Sequence, residues 1–230
     1  MKRFIVREAN LFEFEDVRAF YKANPDEHVM LRAEEVVKAA ISEGVFFIAL
    51  DTEKEDSSRI FAASAVYSVP VRDEGGKIII LKEAGGSLVN PNYRGLSVHK
   101  IFHCARVLHE FILDRGGFAE YFGAIICPND PSVANINQAG LEPWHDPPAS
   151  LVAERAPYAK EGQEIKFFRF PEKALQQAAQ RLLNFANRAK LSRDIDGGHE
   201  ECQLVLDLQL LKRYKPILDG LAKGDFSVLD

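Results

Sequence analysis

The spacing of apolar positions changes several times along the chain, and each change marks an element. Phe4-Ile5-Val6 predicts a short strand, and Asn10 is placed to cap a helix in which Phe14, Val17, Phe20 and Tyr21 recur at helical spacing. After a break at Asn24-Pro25-Asp26, Leu31, Val36, Val37 and Ala40 predict a second amphipathic helix that stops near Gly44. Residues 45–50 and 60–69 are continuous apolar runs on either side of the charged tip Glu53-Lys54-Glu55-Asp56, and 77–81 follows a turn at 72–76. This spacing predicts three consecutive antiparallel strands.

From Ser97 the period becomes helical. Val98, Ile101, Ala105, Leu108 and Ile112 fall on one face, and Gly116-Gly117 ends the pattern. Residues 121–127 predict a strand, Pro128-Asn129-Asp130-Pro131 a turn, and 132–139 a short helix closed by Gly140. A strand, helix, strand order of this length makes the strand ending at Val89 and the strand 121–127 parallel neighbours. Residues 165–170 predict a closing strand.

Beyond Pro171 the pattern turns helical, with Leu175, Ala178, Leu182, Phe185 and Ala189 in one stripe up to a polar break at 192–199. The stretch 204–221, interrupted by Pro216, is read as helical as well. The expected organisation is therefore an α/β (α+β) domain over 1–170, with a mixed, mainly antiparallel twisted sheet and flanking helices, and a C-terminal helical extension over 171–230. Two partners would satisfy the stripes of the extension, the rest of the same chain or a second copy in a homodimer.

Composition narrows the function classes. With 230 residues, 47% of them hydrophobic, the chain can bury a sizeable core. Its net charge of −5 lacks the basic excess that a nucleic-acid partner requires. No apolar stretch reaches the roughly 18 residues of a membrane span, so a cytoplasmic protein with no membrane partner is expected. Cys104, Cys127 and Cys202 are widely spaced in apolar surroundings, as reduced core thiols are. His99, His103, Arg106 and Glu110 share one stripe of the central helix. The histidine pair lacks an intervening glutamate in the His-Glu-x-x-His sense and a third ligand, so the stripe is read as a polar helix face and no metal is expected. Neither a Gly-x-Ser-x-Gly elbow, a P-loop nor a dinucleotide glycine fingerprint is present.

The segment carrying candidate chemistry is Leu88-Val89-Asn90-Pro91-Asn92-Tyr93-Arg94-Gly95-Leu96-Ser97-Val98-His99, a strand turning through Pro and Gly into a helix N-terminus. Such a turn aims free backbone N–H groups and the positive end of a helix dipole at one point, which suits a pyrophosphate. Its wording, Val-x-Pro-x-Tyr-Arg-Gly, resembles the coenzyme A pyrophosphate loop of the GNAT acetyltransferase superfamily. Asn129-x-x-Ser132, followed by Gly140-Leu141, is similar to the family's Asn-x-x-Ser helix. The element order over about 3–170 is similar too.

That resemblance implies an N-acyltransferase with acetyl-CoA or another acyl-CoA as co-substrate and a small-molecule or peptide amine as acceptor. It places the pantetheine arm between the strand ending at Leu88 and Val89 and the strand 121–127, with Val89 meeting the acyl carbonyl. Arg94, Gly95, Leu96, Ser97, Val98 and His99 would hold the pyrophosphate, and Asn129 and Ser132 would border the pantetheine. Glu83 stands where some members carry a glutamate base. Two departures point to the alternative, a GNAT-like domain that binds or regulates without acetyl transfer. His99 replaces a small residue of the family's loop, and Ile136 stands where many members carry a tyrosine acid; Tyr158 is a candidate substitute.

Overall fold

The computed structural model describes residues 1–114, 121–188, 190–195 and 198–229. Among these residues nine strands form one sheet: β1 Lys2–Glu8, β2 Phe46–Asp51, β3 Ile60–Arg72, β4 Ile78–Val89, β5 Tyr121–Cys127, β6 Glu142–Pro143, β7 Glu164–Arg169, β8 Leu191–Ile195 and β9 Gly198–Leu206, in the order β6-β7-β5-β4-β3-β2-β1-β9-β8. The helices are α1 Phe14–Ala23, α2 Glu34–Ser42, α3 Val98–His109, α4 Asp130–Gln138, α5 Ala149–Arg155, α6 Ala174–Ala186, α7 Gln209–Arg213 and α8 Lys215–Ala222. The β4–β5 and β1–β9 pairs are parallel and all the others antiparallel.

The sequence pattern accounts for the centre of this sheet. Every residue of β2 and the first eight of β3 are buried, because helices cover both faces and a strand there has no polar side to show. Asn10 caps the turn leading into α1, its side chain accepting from Phe12 N at 3.1 Å, while Glu13 reaches back to Asn10 N at 3.2 Å. Arg7 and Arg59 both reach Glu13, which ties the head of α1 to β1 and to the turn before β3.

Three expectations change. Leu31 lies ahead of α2, 62% exposed, because the chain from Asn24 to Ala33 is a long loop. The helix begun at Val98 passes at Glu110 into a five-residue π-helical turn, Glu110–Asp114, and the predicted stop at Gly116-Gly117 lies outside the described residues. The extension is helical only in part. Residues expected as a polar break and a helix form the hairpin β8–β9, which joins the sheet as a parallel neighbour of β1. Pro216 opens α8, where its missing N–H costs nothing. Leu175, Leu182, Cys202, Leu218 and Leu221 are buried in the same core as Phe4, Phe61 and Ile101, so this segment packs on the rest of the chain. All three cysteines are buried.

Candidate active site

Strands β4 and β5 pair only briefly. Lys82, Glu83 and Ala84 oppose Tyr121, Phe122 and Gly123, and beyond that point β4 pairs only with β3 while β5 pairs only with β7. A cleft therefore opens in the middle of the sheet. At its closed end β4 bulges. Ala65 opposes Gly85 and Ala63 opposes Leu88, so Gly86 and Ser87 together face Ser64. Gly86 takes a left-handed φ of 61°, and a Cβ there would stand 2.7 Å from the Tyr67 hydroxyl and 3.0 Å from that of Tyr21. The Tyr21 hydroxyl donates to the Gly86 carbonyl, and Ser64 and Ser87 share a hydrogen bond of 2.7 Å.

Past Val89 the chain turns toward α3. Asn90 accepts from Asn92 N at 3.0 Å, and Tyr93 drops into the core, stacked 4.3 Å from Phe61 and donating to Asp51 Oδ2 at 2.8 Å. Leu96 and Val98 are buried. With Tyr93, Leu96 and Val98 pinned below, Arg94 and Gly95 are exposed, and Gly95 and Ser97 take positive φ of 89° and 59°. Ser97 is the N-cap of α3, yet its side chain makes no capping hydrogen bond to the first turn. Leu88 is buried and Val89 half-buried. Asn129 caps α4, accepting from Ser132 N at 3.3 Å, across the cleft from β4.

A cavity of about 70 Å³ runs through the opening, lined by Glu83, Arg32, His99, Arg106, Asn129 and Ser132 among others. Of the residues singled out in the sequence, Glu83, His99, Asn129 and Ser132 thus meet in one place. Beside it, sharing Met30, Arg32 and Gly86, lies a largely apolar cavity of about 530 Å³ under α1 and the loop before α2.

The stripe read as a polar helix face is buried. His103, Arg106 and Glu110 are 6%, 1% and 2% exposed, and His99 turns into the cleft, 4.7 Å from His103 ring to ring. Burial, with the Arg106 charge added, lowers the pKa of His99 to about 4 and that of His103 well below the usual imidazole value, so both are neutral at pH 7. No group of three or more His, Cys, Asp or Glu among the described residues could hold a metal.

Glu83 is 1% exposed. Its Oε2 accepts from Arg155 Nη2 at 2.6 Å, Arg155 Nε at 3.2 Å and Arg32 Nη2 at 2.7 Å, whereas Oε1 accepts from none of the described residues. Arg32 comes from the loop before α2 and Arg155 from the end of α5, so a loop and a distant helix meet over one carboxylate. Arg32 also stacks between Tyr67 and Tyr158, 5.4 Å from each ring, and Lys160 bridges to Glu27 at 3.1 Å. Burial works against the Arg155 cation, but Glu83 and Glu154 outweigh it and raise its pKa. The sequence gives no local sign of this cluster, since Glu83 and Arg155 are 72 residues apart.

No protein-family model and no curated protein matches this sequence. Solved structures do. A chain of the NatC complex, solved bound to Gag peptide and CoA, superposes with a TM-score of 0.55 at 11% identity over 74% of this chain and 98% of that chain. Naa20 from Chaetomium thermophilum, solved with a bisubstrate analogue, superposes with a TM-score of 0.53 at 12% identity over 75% of this chain and 88% of that chain. This is the GNAT acetyltransferase fold. Against the GNAT pattern, Ile136 is buried in the cleft wall, with its Cδ1 2.8 Å from where a Cβ on Gly123 would lie. Tyr158 is 36% exposed and stands outside the cleft on the far side of Arg32.

Proposed function

We propose that the chain is an N-acyltransferase that moves an acyl group from coenzyme A to a primary amine by direct attack. One observation carries this reading. The splay between β4 and β5 opens beside Asn129, the N-cap of α4, and Ser132, and its cavity reaches His99 in the first turn of α3. A long ligand with a phosphate end and a thioester end fits that path.

In this reading the backbone at Leu88 and Val89 meets the pantetheine, with Asn129 and Ser132 on its other side. Arg94 and the N–H groups from Gly95 to His99 hold the pyrophosphate. The acceptor lies in the apolar cavity beyond Gly86. The amine nitrogen attacks the thioester carbon, a C–N bond forms and the C–S bond breaks. Glu83 Oε1, directly or through one water, takes the ammonium proton, and the leaving thiolate takes up a proton. With its other oxygen held by three N–H donors, Glu83 keeps Oε1 in a fixed place beside Gly85, whose added Cβ would lie 3.9 Å away.

The test is thiol release from acetyl-CoA over a panel of small amines and peptides. Amine-dependent release is expected, and its absence with every acceptor would overturn the transfer. Thioester binding without turnover would favour the second reading, a domain that binds and does not transfer, for which the His99 imidazole lining the cleft is the supporting observation.

A further inference from the structure

Arg106 is 1% exposed and lines the cleft. Its Nη1 donates to Ser87 Oγ at 2.9 Å and to the carbonyls of Gly85 at 3.3 Å and Ala65 at 3.4 Å; Nη2 lies 3.0 Å from His103 Nδ1. Every one of these partners is neutral. Nε has no hydrogen-bond partner, and no described carboxylate lies within ion-pair distance. The titratable groups in closest interaction with it are neutral, and the buried Glu110 carboxylate, one turn further along the helix, lies 3.8 Å from Lys82 Nζ. Burial holds the protons on the Tyr21, Tyr67 and Tyr121 phenols and on the Cys104 thiol, and it keeps His99 and His103 uncharged. The one carboxylate lining the cleft, Glu83, is already shared between Arg32 and Arg155.

A buried cation without a counter-charge is strongly disfavoured, so a site that retains one is suited to a ligand that brings the missing anion. Position decides where that anion must be. Arg106 holds both ends of the bulge, the Gly85 carbonyl and the Ser87 hydroxyl, and so marks the closed end of the cleft between β4 and β5. That is the end opposite the pyrophosphate turn.

Resting on the reading of this cleft as an acyl-CoA site, we propose that the acyl group it takes bears a carboxylate of its own. The substrate class is a short dicarboxylic acyl thioester, with Arg106 as the counter-ion of the distal carboxylate. The carboxylate forms and breaks no bond; it orients the acyl chain so that the thioester carbon lies at the bulge. His99 and His103, neutral and set edge to face, wall the same space without competing for the anion.

Calorimetric titration of the full chain with CoA, acetyl-CoA, butyryl-CoA and succinyl-CoA tests this directly. Succinyl-CoA is expected to bind at least about tenfold more tightly than butyryl-CoA, which has a similar chain length without the charge. Arg106→Met should abolish that preference while CoA itself still binds. If the variant does not fold, the wild-type comparison decides alone. Equal or weaker binding of succinyl-CoA, with CoA and acetyl-CoA still bound, would overturn the proposal and leave the acyltransferase reading standing. Failure of all four ligands would remove both.

Discussion

Arg155 Nη2 donates to Glu83 Oε2 at 2.6 Å, and both side chains are buried, 2% and 1% exposed. The pair joins α5 to β4, and Arg32 adds a third element to the same oxygen. Removing the carboxylate leaves two guanidiniums buried without it. Glu83→Ala is therefore expected to destabilise the fold by about 3–5 kcal/mol. Urea unfolding measures this; a loss under about 1 kcal/mol would show that the guanidiniums find water instead.

Glu83→Gln keeps the shape of the side chain while removing the base, together with the charge that Arg32 and Arg155 share. Amine-dependent thiol release should fall about 10²–10⁴-fold with CoA affinity nearly unchanged. A parallel loss of CoA affinity would mean that Glu83 acts only through the packing of Arg32 and Arg155.

Gly86 is the point where Tyr21 and Tyr67 close on the bulge. A methyl group there meets both hydroxyls and must hold a left-handed φ. Gly86→Ala should cost about 1–3 kcal/mol in chemical denaturation. Gly76, also at positive φ but with open space around it, should tolerate alanine better.

Glu13 and His99 both contribute to the acid side of the stability profile. Burial alone would raise the Glu13 carboxyl, but Arg7, the Asn10 N–H and Arg59 outweigh it and hold its pKa low. Its contribution is complete above the unfolded value and is lost as pH falls through the lower folded one. His99, with a folded pKa of about 4, is neutral where an unfolded histidine near 6.5 already takes a proton, so it too subtracts stability as pH falls from about 6.5 toward 4. Thermal midpoints between pH 7 and 3 should drop more gently in Glu13→Gln and His99→Gln than in the parent chain. Parallel curves would contradict both assignments.

Much of the fold was legible because the central elements obey one period each. Continuous apolar runs gave β2 and β3, and the Asn10 cap gave the start of α1. The hairpin β8–β9 was not legible, since Ser192, Arg193, Asp194, Glu200 and Glu201 read as a polar break and only Cys202, Leu204 and Leu206 alternate. Its pairing with β1 joins residues two hundred positions apart, and no local rule reports that. In the site, the Asn90–Val98 turn announced itself through Pro, Gly and a following helix. Arg106 did not. An arginine between Ala105 and Val107 on an amphipathic helix has the look of a solvated face, and only the β-bulge lying over it accounts for its burial.

Packing of α6 gives an independent check on the C-terminal segment. Leu182 is fully buried, in the core that also holds Ile101 of α3. Leu182→Ala is expected to cost about 2–5 kcal/mol, in one cooperative transition that includes the sheet. Two separate transitions would mean that residues 171–230 unfold on their own.

The central claim, that the splay between β4 and β5 is a coenzyme A site, is tested most directly by calorimetry with free CoA on the full chain. One-to-one binding is expected, weakened at least tenfold by Gly95→Val, which forces a β-branched residue to a φ of 89° in the pyrophosphate turn. No heat at millimolar CoA would contradict the account.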